Sequence, residues 1–308
     1  MRFSVYQVSR RGGRATNEDR VGYCYTPDSA LLGLADGMGG HPRGDVAAQL
    51  ALQTISAMFQ REARPGLQDV RAFLRRAIYA AHEHIHRYAR EQRLDDFPRT
   101  TVVLCVLQDG IAQWAHVGDS RLYFVREKAL LTRTLDHSHA EQRMLQTAVT
   151  GSLSQAAQAR GTNRNVLYTC LGSPQAPFIE IGVPQALRQG DVVLLCSDGL
   201  WSQVEQGAIV HLLSQRALAD AVPELVESAL RNRSAESDNV TALAIEWEAE
   251  AERDSTQGVS TENLAPGVFA STFQAGLPDV AVDELDDAEI ERSIAEINEA
   301  IRKAASRK

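Results

Sequence analysis

Short apolar runs alternate with longer helix-like stretches along the first 248 residues. Runs of β-branched or large apolar residues bounded by Gly, Asp or Ser predict strands. These are Val21–Tyr25, Ala30–Ala35, Thr101–Leu107, Ala112–Val117, Leu122–Val125, Val192–Cys196 and Val240–Glu246. Apolar residues recurring every three or four positions predict helices at Gly44–Glu62, Leu67–Arg93, Gln206–Gln215 and Leu218–Ser234. Two sheets covered by helices are the simplest arrangement of these predicted strands and helices.

One turn indicates how the strands pair. Asp109-Gly110 separates two strand-like runs, and this dipeptide suits the positive φ angles of a tight two-residue turn. The two runs are therefore predicted to form a hairpin. This favours antiparallel sheets over a doubly wound parallel sheet.

The composition divides the chain into three parts. Residues 1–248 form the predicted folded domain, within which the stretch from Asp136 to Gly172 is weakly periodic and is interpreted as a mobile insertion near the site. Residues 249–282 are rich in Ala, Glu, Ser, Thr, Gly and Pro and are predicted to be an acidic flexible linker.

Residues 283–308 regain helical spacing and are predicted to form a C-terminal amphipathic helix. Such a helix could dock on the domain, on a second copy or on a partner protein. A frayed, solvated helix is an open alternative because the apolar pattern spans only about two heptads.

Composition and charge exclude several classes of protein. The chain has 308 residues, no apolar run of signal-peptide or membrane-spanning length, and four scattered cysteines without a CxxC pair. We expect reduced, buried thiols and a cytoplasmic protein that is neither secreted nor membrane-bound. Residues 249–308 contain 13 acidic and 6 basic residues, so the first 248 carry only −1 of the net charge of −8. A nearly neutral domain argues against nucleic-acid binding.

Five aspartates lie at the ends of predicted strands or in the adjacent turns: Asp19, Asp36, Asp119, Asp198 and Asp238. Taken singly, each is better explained as a turn residue than as a functional one. Two of them, Asp36 and Asp198, follow the apolar runs Ala30–Ala35 and Val192–Cys196, which we interpret as buried strands. Carboxylates in such places repel one another unless a cation neutralises them, and oxygen ligands without His or Cys suit Mg²⁺ or Mn²⁺ rather than Zn²⁺.

The residues around these aspartates form five ordered motifs, which are Asn17-Glu18-Asp19, Ala35-Asp36-Gly37-Met38-Gly39-Gly40-His41, Gly118-Asp119-Ser120-Arg121, Ser197-Asp198-Gly199 and Asp238-Asn239. In this order they resemble the PPM (PP2C-type) phosphatases in their bacterial form, over about residues 1–247. The resemblance implies an α+β fold, the α-β-β-α sandwich of two antiparallel sheets flanked by helices. It also implies a protein serine/threonine phosphatase.

The resemblance further implies a set of metal ligands. Asp36 would bridge two Mn²⁺ or Mg²⁺ ions, Asp198 and Asp238 would complete one site, and Asp19 with the Gly37 carbonyl would complete the other. Asp119, with help from Asp198, would hold a weaker third ion. Water activated by the two metals would then attack phosphorus directly, without a phosphoenzyme.

Two further residues are assigned by the same resemblance and by position. Arg14 would bind the substrate phosphate through its planar fork of donors, although neighbouring arginines leave a solvated surface role open. His41 is a candidate for a leaving-group or substrate role, and a structural loop histidine is the alternative. The expected partners are phosphoproteins and a cognate bacterial Ser/Thr kinase with its substrates.

Three other interpretations remain open. The chain could be a scaffold whose tail helix recruits a partner, or a hydrolase of another phosphate ester. The run from His82 to His86 has a spacing that zinc can use, but no third ligand stands in frame, so a solvated helix face is favoured.

Overall fold

The computed structural model describes residues 1–40, 43–150, 166–232, 237–248, 258–260 and 269–273, with all their side chains except those of 147–150 and 258–260. The strands in this part of the chain are β1 (Arg2–Arg10), β2 (Arg20–Tyr25), β3 (Ser29–Ala35), β4 (Val102–Gln108), β5 (Ile111–Val117), β6 (Arg121–Arg126), β7 (Ala129–Arg133), β8 (Glu180–Ile181), β9 (Gln185–Ala186), β10 (Val192–Cys196), β11 (Val240–Trp247), β12 (Gly258–Ser260) and β13 (Ala270–Ser271). The helices are α1 (Gly44–Glu62), α2 (Val70–Glu91), α3 (His139–Thr150), α4 (Asp198–Trp201), α5 (Gln206–Gln215) and α6 (Leu218–Arg231).

The strands form two sheets. The first has the order β12-β1-β11-β10-β6-β7, and the second has the order β13-β2-β3-β4-β5-β8, with β9 also paired to β5. All of these pairings are antiparallel. The predicted antiparallel architecture is therefore confirmed.

Three apolar layers hold the sheets and helices together. Helices α1 and α2 pack on the second sheet, where Phe59 and Leu104 belong to one cluster. The two sheets face each other across a second cluster that contains Phe124. Helices α5 and α6 cover the first sheet, where Leu225 and Leu194 share a third cluster. This order of layers is the α-β-β-α sandwich that the resemblance implied, and the fold class is confirmed.

Local sequence signals located several elements well. Helices α1 and α5 have the predicted bounds. The hairpin of β4 and β5 turns at Asp109 and Gly110, whose φ angles of 54° and 69° are the positive values expected there. Strand β1 is not among the predicted strands, yet it pairs with β11 along eight residues. Its buried Phe3 and Val8 belong to two different core clusters, one on each face of the sheet.

The prediction of a solvated face formed by His82 and His86 on α2 is wrong, because His82 is buried and the half-buried His86 has its Nε2 2.8 Å from the Ser173 carbonyl oxygen. His82 and His84 are 4% and 2% exposed. His82 Nδ1 accepts a hydrogen bond from the Gly172 backbone N–H at 3.2 Å, and His84 Nδ1 lies 2.7 Å from Thr54 Oγ1 on α1. Burial lowers the pKa of His82 to about 3 and that of His84 to about 4, so both rings are neutral and packed inside the helical layer.

Two short stretches of the predicted linker pair with the sheets. Strand β12 adds to β1 at the edge of the first sheet, and β13 adds to β2 at the edge of the second. The division at residues 249–282 and 283–308 stays a prediction, and residues 283–308 lie outside the described part of the chain. All four cysteines are buried and free, as expected. Among the described helices, none is both long and apolar enough to cross a membrane.

Candidate active site

The strand register brings the five aspartates to one end of the sandwich. In the second sheet, Arg20 pairs with Ala35, so the adjoining residues Asp19 and Asp36 lie side by side. In the first sheet, Cys196 pairs with Arg121 on β6 and with Ala242 on β11. The turn before β6, the start of α4 and the loop before β11 therefore meet at the same end. They carry Asp119, Asp198 and Asp238.

A cleft of about 560 Å³ opens at this end. Four of the five aspartates line it together with backbone of the glycine-rich loop and one arginine, namely Asp36, Asp119, Asp198, Asp238, Gly37, Gly39, Gly40 and Arg14. Asp19 is only 4% exposed and lies behind the cleft wall. The cleft is thus a concave surface with a high density of carboxylates.

The carboxylates disfavour one another's ionisation. Burial and then the charges of Asp19, Asp198, Asp119 and Asp238 raise the pKa of Asp36 well above its usual range. Burial and the charge of Asp198 raise the pKa of Asp119 in the same way. Without a cation these groups are held near one another at an electrostatic cost, which a bound divalent ion would offset.

Asp19 provides the clearest test of whether a cation fits. Its Oδ2 accepts a hydrogen bond from Ser197 Oγ at 2.9 Å, while its fully buried Oδ1 has no hydrogen-bond partner among the described residues. Burial raises its pKa to about 6. An unpartnered buried carboxylate oxygen beside other carboxylates is a place for a hard cation, so the residues present fit Mg²⁺ or Mn²⁺.

Backbone contacts fix Asp36 at the cleft. Its carbonyl accepts hydrogen bonds from the Thr101 N–H at 2.9 Å and the Thr100 hydroxyl at 2.8 Å, and its N–H donates to Thr101 Oγ1 at 3.2 Å. The next residue, Gly37, has no room for a side chain, because a Cβ would lie 2.5 Å from the Gly44 backbone. The Gly37 backbone can therefore approach the cleft closely.

Arg14 reaches the cleft from the loop after β1. Its Nη2 lies 2.8 Å from Asp238 Oδ2, and its side chain is 51% exposed. A Cβ at Gly39 would lie 3.4 Å from Arg14 Nη1, so the glycine-rich loop passes directly over the guanidinium group. The hydrogen bond and charge of Asp238 raise the pKa of Arg14. The structure thus places a fixed, solvent-accessible cation beside the carboxylates.

The sequence did not reveal what shapes the loop that holds Arg14. Asn239 accepts a hydrogen bond from the Glu18 N–H at 2.8 Å and donates to the carbonyls of Arg11 and Thr16 at 2.8 and 3.0 Å. Glu18 itself lines the cleft, and burial followed by the charge of Asp45 raises its pKa. The Asp-Asn pair was visible as a motif, but the loop contacts of Asn239 depend on tertiary proximity.

Trp201 makes two specific polar contacts beside the turn of Asp119. Its Nε1 donates to the Asp119 carbonyl at 2.9 Å, and the Arg121 guanidinium lies 3.6 Å from its ring centroid. Arg121 is in turn held by both carboxylate oxygens of Asp136, at 2.7 and 2.8 Å. A chain of buried polar contacts therefore supports the residue Asp119 from the side of the first sheet.

A second polar group, His116, His137 and Glu180, lies beside the turn of Asp119, with candidate ligand atoms within 4.8 Å of one another. The two imidazole rings are stacked, with centroids 4.3 Å apart and planes 27° apart. Lone pairs in nearly parallel ring planes do not converge on one ion at the distance of about 2 Å that imidazole ligands need. We interpret these three side chains as a packed polar group rather than a metal site.

The structure describes every sequence-predicted site residue except His41, which lies outside the described part of the chain. It brings Asp19, Asp36, Gly37, Asp119, Asp198, Asp238 and Arg14 to one end of the fold. Their individual roles stay predictions.

Comparison with known proteins agrees with this geometry. The family model described as protein phosphatase 2C matches residues 7–244. The chain is 29% identical over 255 residues to a serine/threonine phosphatase stp of Listeria monocytogenes, covering 82% of this chain and 96% of the relative.

Two solved structures are similar along most of the chain. The catalytic domain of the phosphatase PstP in complex with two manganese ions superposes with a TM-score of 0.65 at 30% identity, covering 80% of this chain and 99% of that one. The phosphatase Stp1 of Staphylococcus aureus superposes with a TM-score of 0.70 at 27% identity, covering 80% and 95%.

A four-layer sandwich with a carboxylate-lined cleft between its sheets defines this chain as a metal-dependent phosphatase. The family match extends through both sheets, from β1 to β11. The chain belongs to the protein phosphatase 2C family, which confirms the resemblance noted in its motifs.

Proposed function

We propose that the chain hydrolyses phosphoserine and phosphothreonine in proteins with Mn²⁺ or Mg²⁺ as its cofactor. The observation that carries this proposal is the meeting of five carboxylates at one end of the fold, four of them lining the cleft and the fifth, Asp19, with a buried oxygen that has no hydrogen-bond partner in the described part of the chain. The similarity to phosphatases named for serine and threonine substrates supports the substrate class. The similarity to a structure with two manganese ions supports the cofactor.

Each carboxylate has a proposed part in holding the ions. Asp36 would ligate two of them, as the family resemblance implies, and the charges of the four other aspartates add to burial in raising its pKa. Asp198 and Asp238 would complete one ion's ligands, and Asp19 with the Gly37 carbonyl would complete the other's. Asp119 with Asp198 would hold a weaker third ion. When bound, such ions supply a hydroxide nucleophile from water and neutralise charge on the phosphoryl group.

Arg14 would bind and orient the substrate phosphate. Its guanidinium group is exposed on one side and held by Asp238 on the other, so its free donors can face an incoming phosphate. A planar fork of donors aligns two phosphoryl oxygens at once and fixes the phosphorus for in-line attack.

A phosphoenzyme on a cysteine has no support among the described residues. The cysteines are buried, and burial raises the pKa of each thiol, to about 11 for Cys170, so none is a ready nucleophile. The role of His41 as a general acid, the cognate kinase, a partner for the tail helix and the cytoplasmic location stay predictions.

The decisive experiment is phosphate release from a phosphothreonine peptide with Mn²⁺ and with EDTA, for the wild type and Asp198→Ala. We expect turnover that requires Mn²⁺ and that falls by at least about 10³-fold in the variant. Circular dichroism would establish that both proteins are folded. Turnover in EDTA, or none from folded wild type with Mn²⁺, would refute the proposal.

A further inference from the structure

The backbone N–H and the backbone carbonyl of Gly118, the residue before Asp119, both form hydrogen bonds with His137. The Gly118 N–H donates to His137 Nδ1 at 3.2 Å, and the His137 N–H donates to the Gly118 carbonyl at 2.9 Å. Gly118 has a φ angle of +103°, and a Cβ there would lie 2.6 Å from Thr101 Cγ2. The turn that presents Asp119 to the cleft is therefore tightly confined, and His137 is what holds it from one side.

His137 is well placed to act as a fixed support. It is 1% exposed, its ring stacks on His116, and its ring centroid lies 5.1 Å from that of Phe178. Because a backbone N–H can only donate, Nδ1 must offer its lone pair, and the neutral ring carries its proton on Nε2. That nitrogen is buried, has no hydrogen-bond partner among the described residues and lies 3.6 Å from Glu180 Oε2. The ring orientation is thus set by the Nδ1 contact and by the rings packed against it.

His137 lies near the start of the stretch from Asp136 to Gly172 and also contacts residues near its other end. The Tyr168 N–H donates to the His137 carbonyl at 3.0 Å, and Ser138 forms a β-bridge with Leu167. Leu167 lines the cleft. His137 therefore joins the Asp119 turn to a second part of the cleft wall.

We propose that His137 is a positioning residue for Asp119: its Nδ1 fixes Gly118 and so aims the Asp119 carboxylate into the cleft. The inference rests on the proposed function, in which Asp119 holds the weaker third cation. Residues that orient a metal ligand through a hydrogen bond affect metal affinity by about 10–100-fold when they are replaced. Here His137 contacts Gly118, which lies in the backbone turn that carries the proposed ligand Asp119.

A matched pair of variants isolates the Nδ1 contact. The Oδ1 atom in His137→Asn can occupy the position of Nδ1 and accept from the Gly118 N–H. The longer amide in His137→Gln reaches towards the position of Nε2 and leaves that N–H unpaired. Both variants lose the stacking on His116, so a general packing defect would affect them alike.

The measurement is calorimetric titration of Mn²⁺ into the metal-free full-length protein. We expect His137→Gln to weaken the weakest Mn²⁺ site by about tenfold or more, and His137→Asn to remain within about threefold of the wild type. The tighter sites should not change. Equal weakening in both variants, or wild-type affinity in His137→Gln, would overturn the proposal.

A double variant separates positioning from general damage. Asp119→Asn removes the carboxylate charge, so adding His137→Gln should not weaken the remaining Mn²⁺ sites further. Additional weakening of those sites would contradict a role that acts through Asp119. A wild type that binds Mn²⁺ but releases no phosphate from the phosphothreonine peptide would refute the phosphatase assignment alone, since the binding measurement does not depend on turnover.

Discussion

Phe273 should anchor the segment 269–273 to the folded domain. Its ring occupies the space left by two glycines of the second sheet, because a Cβ at Gly22 would lie 2.6 Å from Phe273 Cδ1 and one at Gly33 would lie 3.5 Å from Cζ. Phe269 in the same segment lies with its ring 6.4 Å from that of Phe59 on α1. The substitution Phe273→Ala removes this anchor without touching the cleft.

The expected loss follows from the buried area. Phe273 is half-buried, so we take about half of the roughly 200 Å² that a phenylalanine side chain can bury. At about 25 cal/mol per Å² this corresponds to about 2.5 kcal/mol in the free energy of unfolding. For a domain of this size the melting temperature should fall by roughly 5–10 °C.

Urea and thermal unfolding in EDTA would measure the effect, with Val183→Ala as the control because Val183 is 72% exposed. The control should change stability by less than about 0.5 kcal/mol. Gly22→Ala should destabilise the wild type through its clash with the ring, and should cost much less in the Phe273→Ala background. A melting temperature of Phe273→Ala within about 1 °C of the wild type would refute the reasoning.

Three further results are expected. The stabilisation by Mn²⁺ over EDTA should shrink as the pH falls through about 6, because the raised pKa of Asp19 lets protons compete with the ion, and a constant difference would contradict this. Arg14→Ala should raise KM for a phosphopeptide by roughly tenfold or more, since charged hydrogen bonds contribute about 1.5–3 kcal/mol; an unchanged KM would exclude Arg14 from phosphate binding. Arg121→Lys should lower the free energy of unfolding by about 2–3 kcal/mol, because lysine cannot make the paired contact with both carboxylate oxygens of Asp136. A urea unfolding curve like that of the wild type would contradict this expectation.

Short-range signals account for what the sequence predicted correctly. Asp109-Gly110 specifies a tight turn because few residue pairs tolerate two positive φ angles. Helix α1 has a local apolar period, and its bounds could be predicted from that. The metal-site aspartates could be located because each lies in a compact motif next to an apolar strand.

Local patterns and motifs therefore predict the antiparallel hairpin, most of the helices and the chemistry of the candidate site. The place of β1, the burial of His82 and His84, and the contacts of His137 and Phe273 emerge from the packing of the folded chain. These features depend on residues far apart in sequence: Gly118 meets His137 across 19 positions, and Ser271 pairs with Cys24. A local pattern describes the chain's own preferences, whereas a buried polar or aromatic side chain takes its position from partners that only the folded sheets bring within reach.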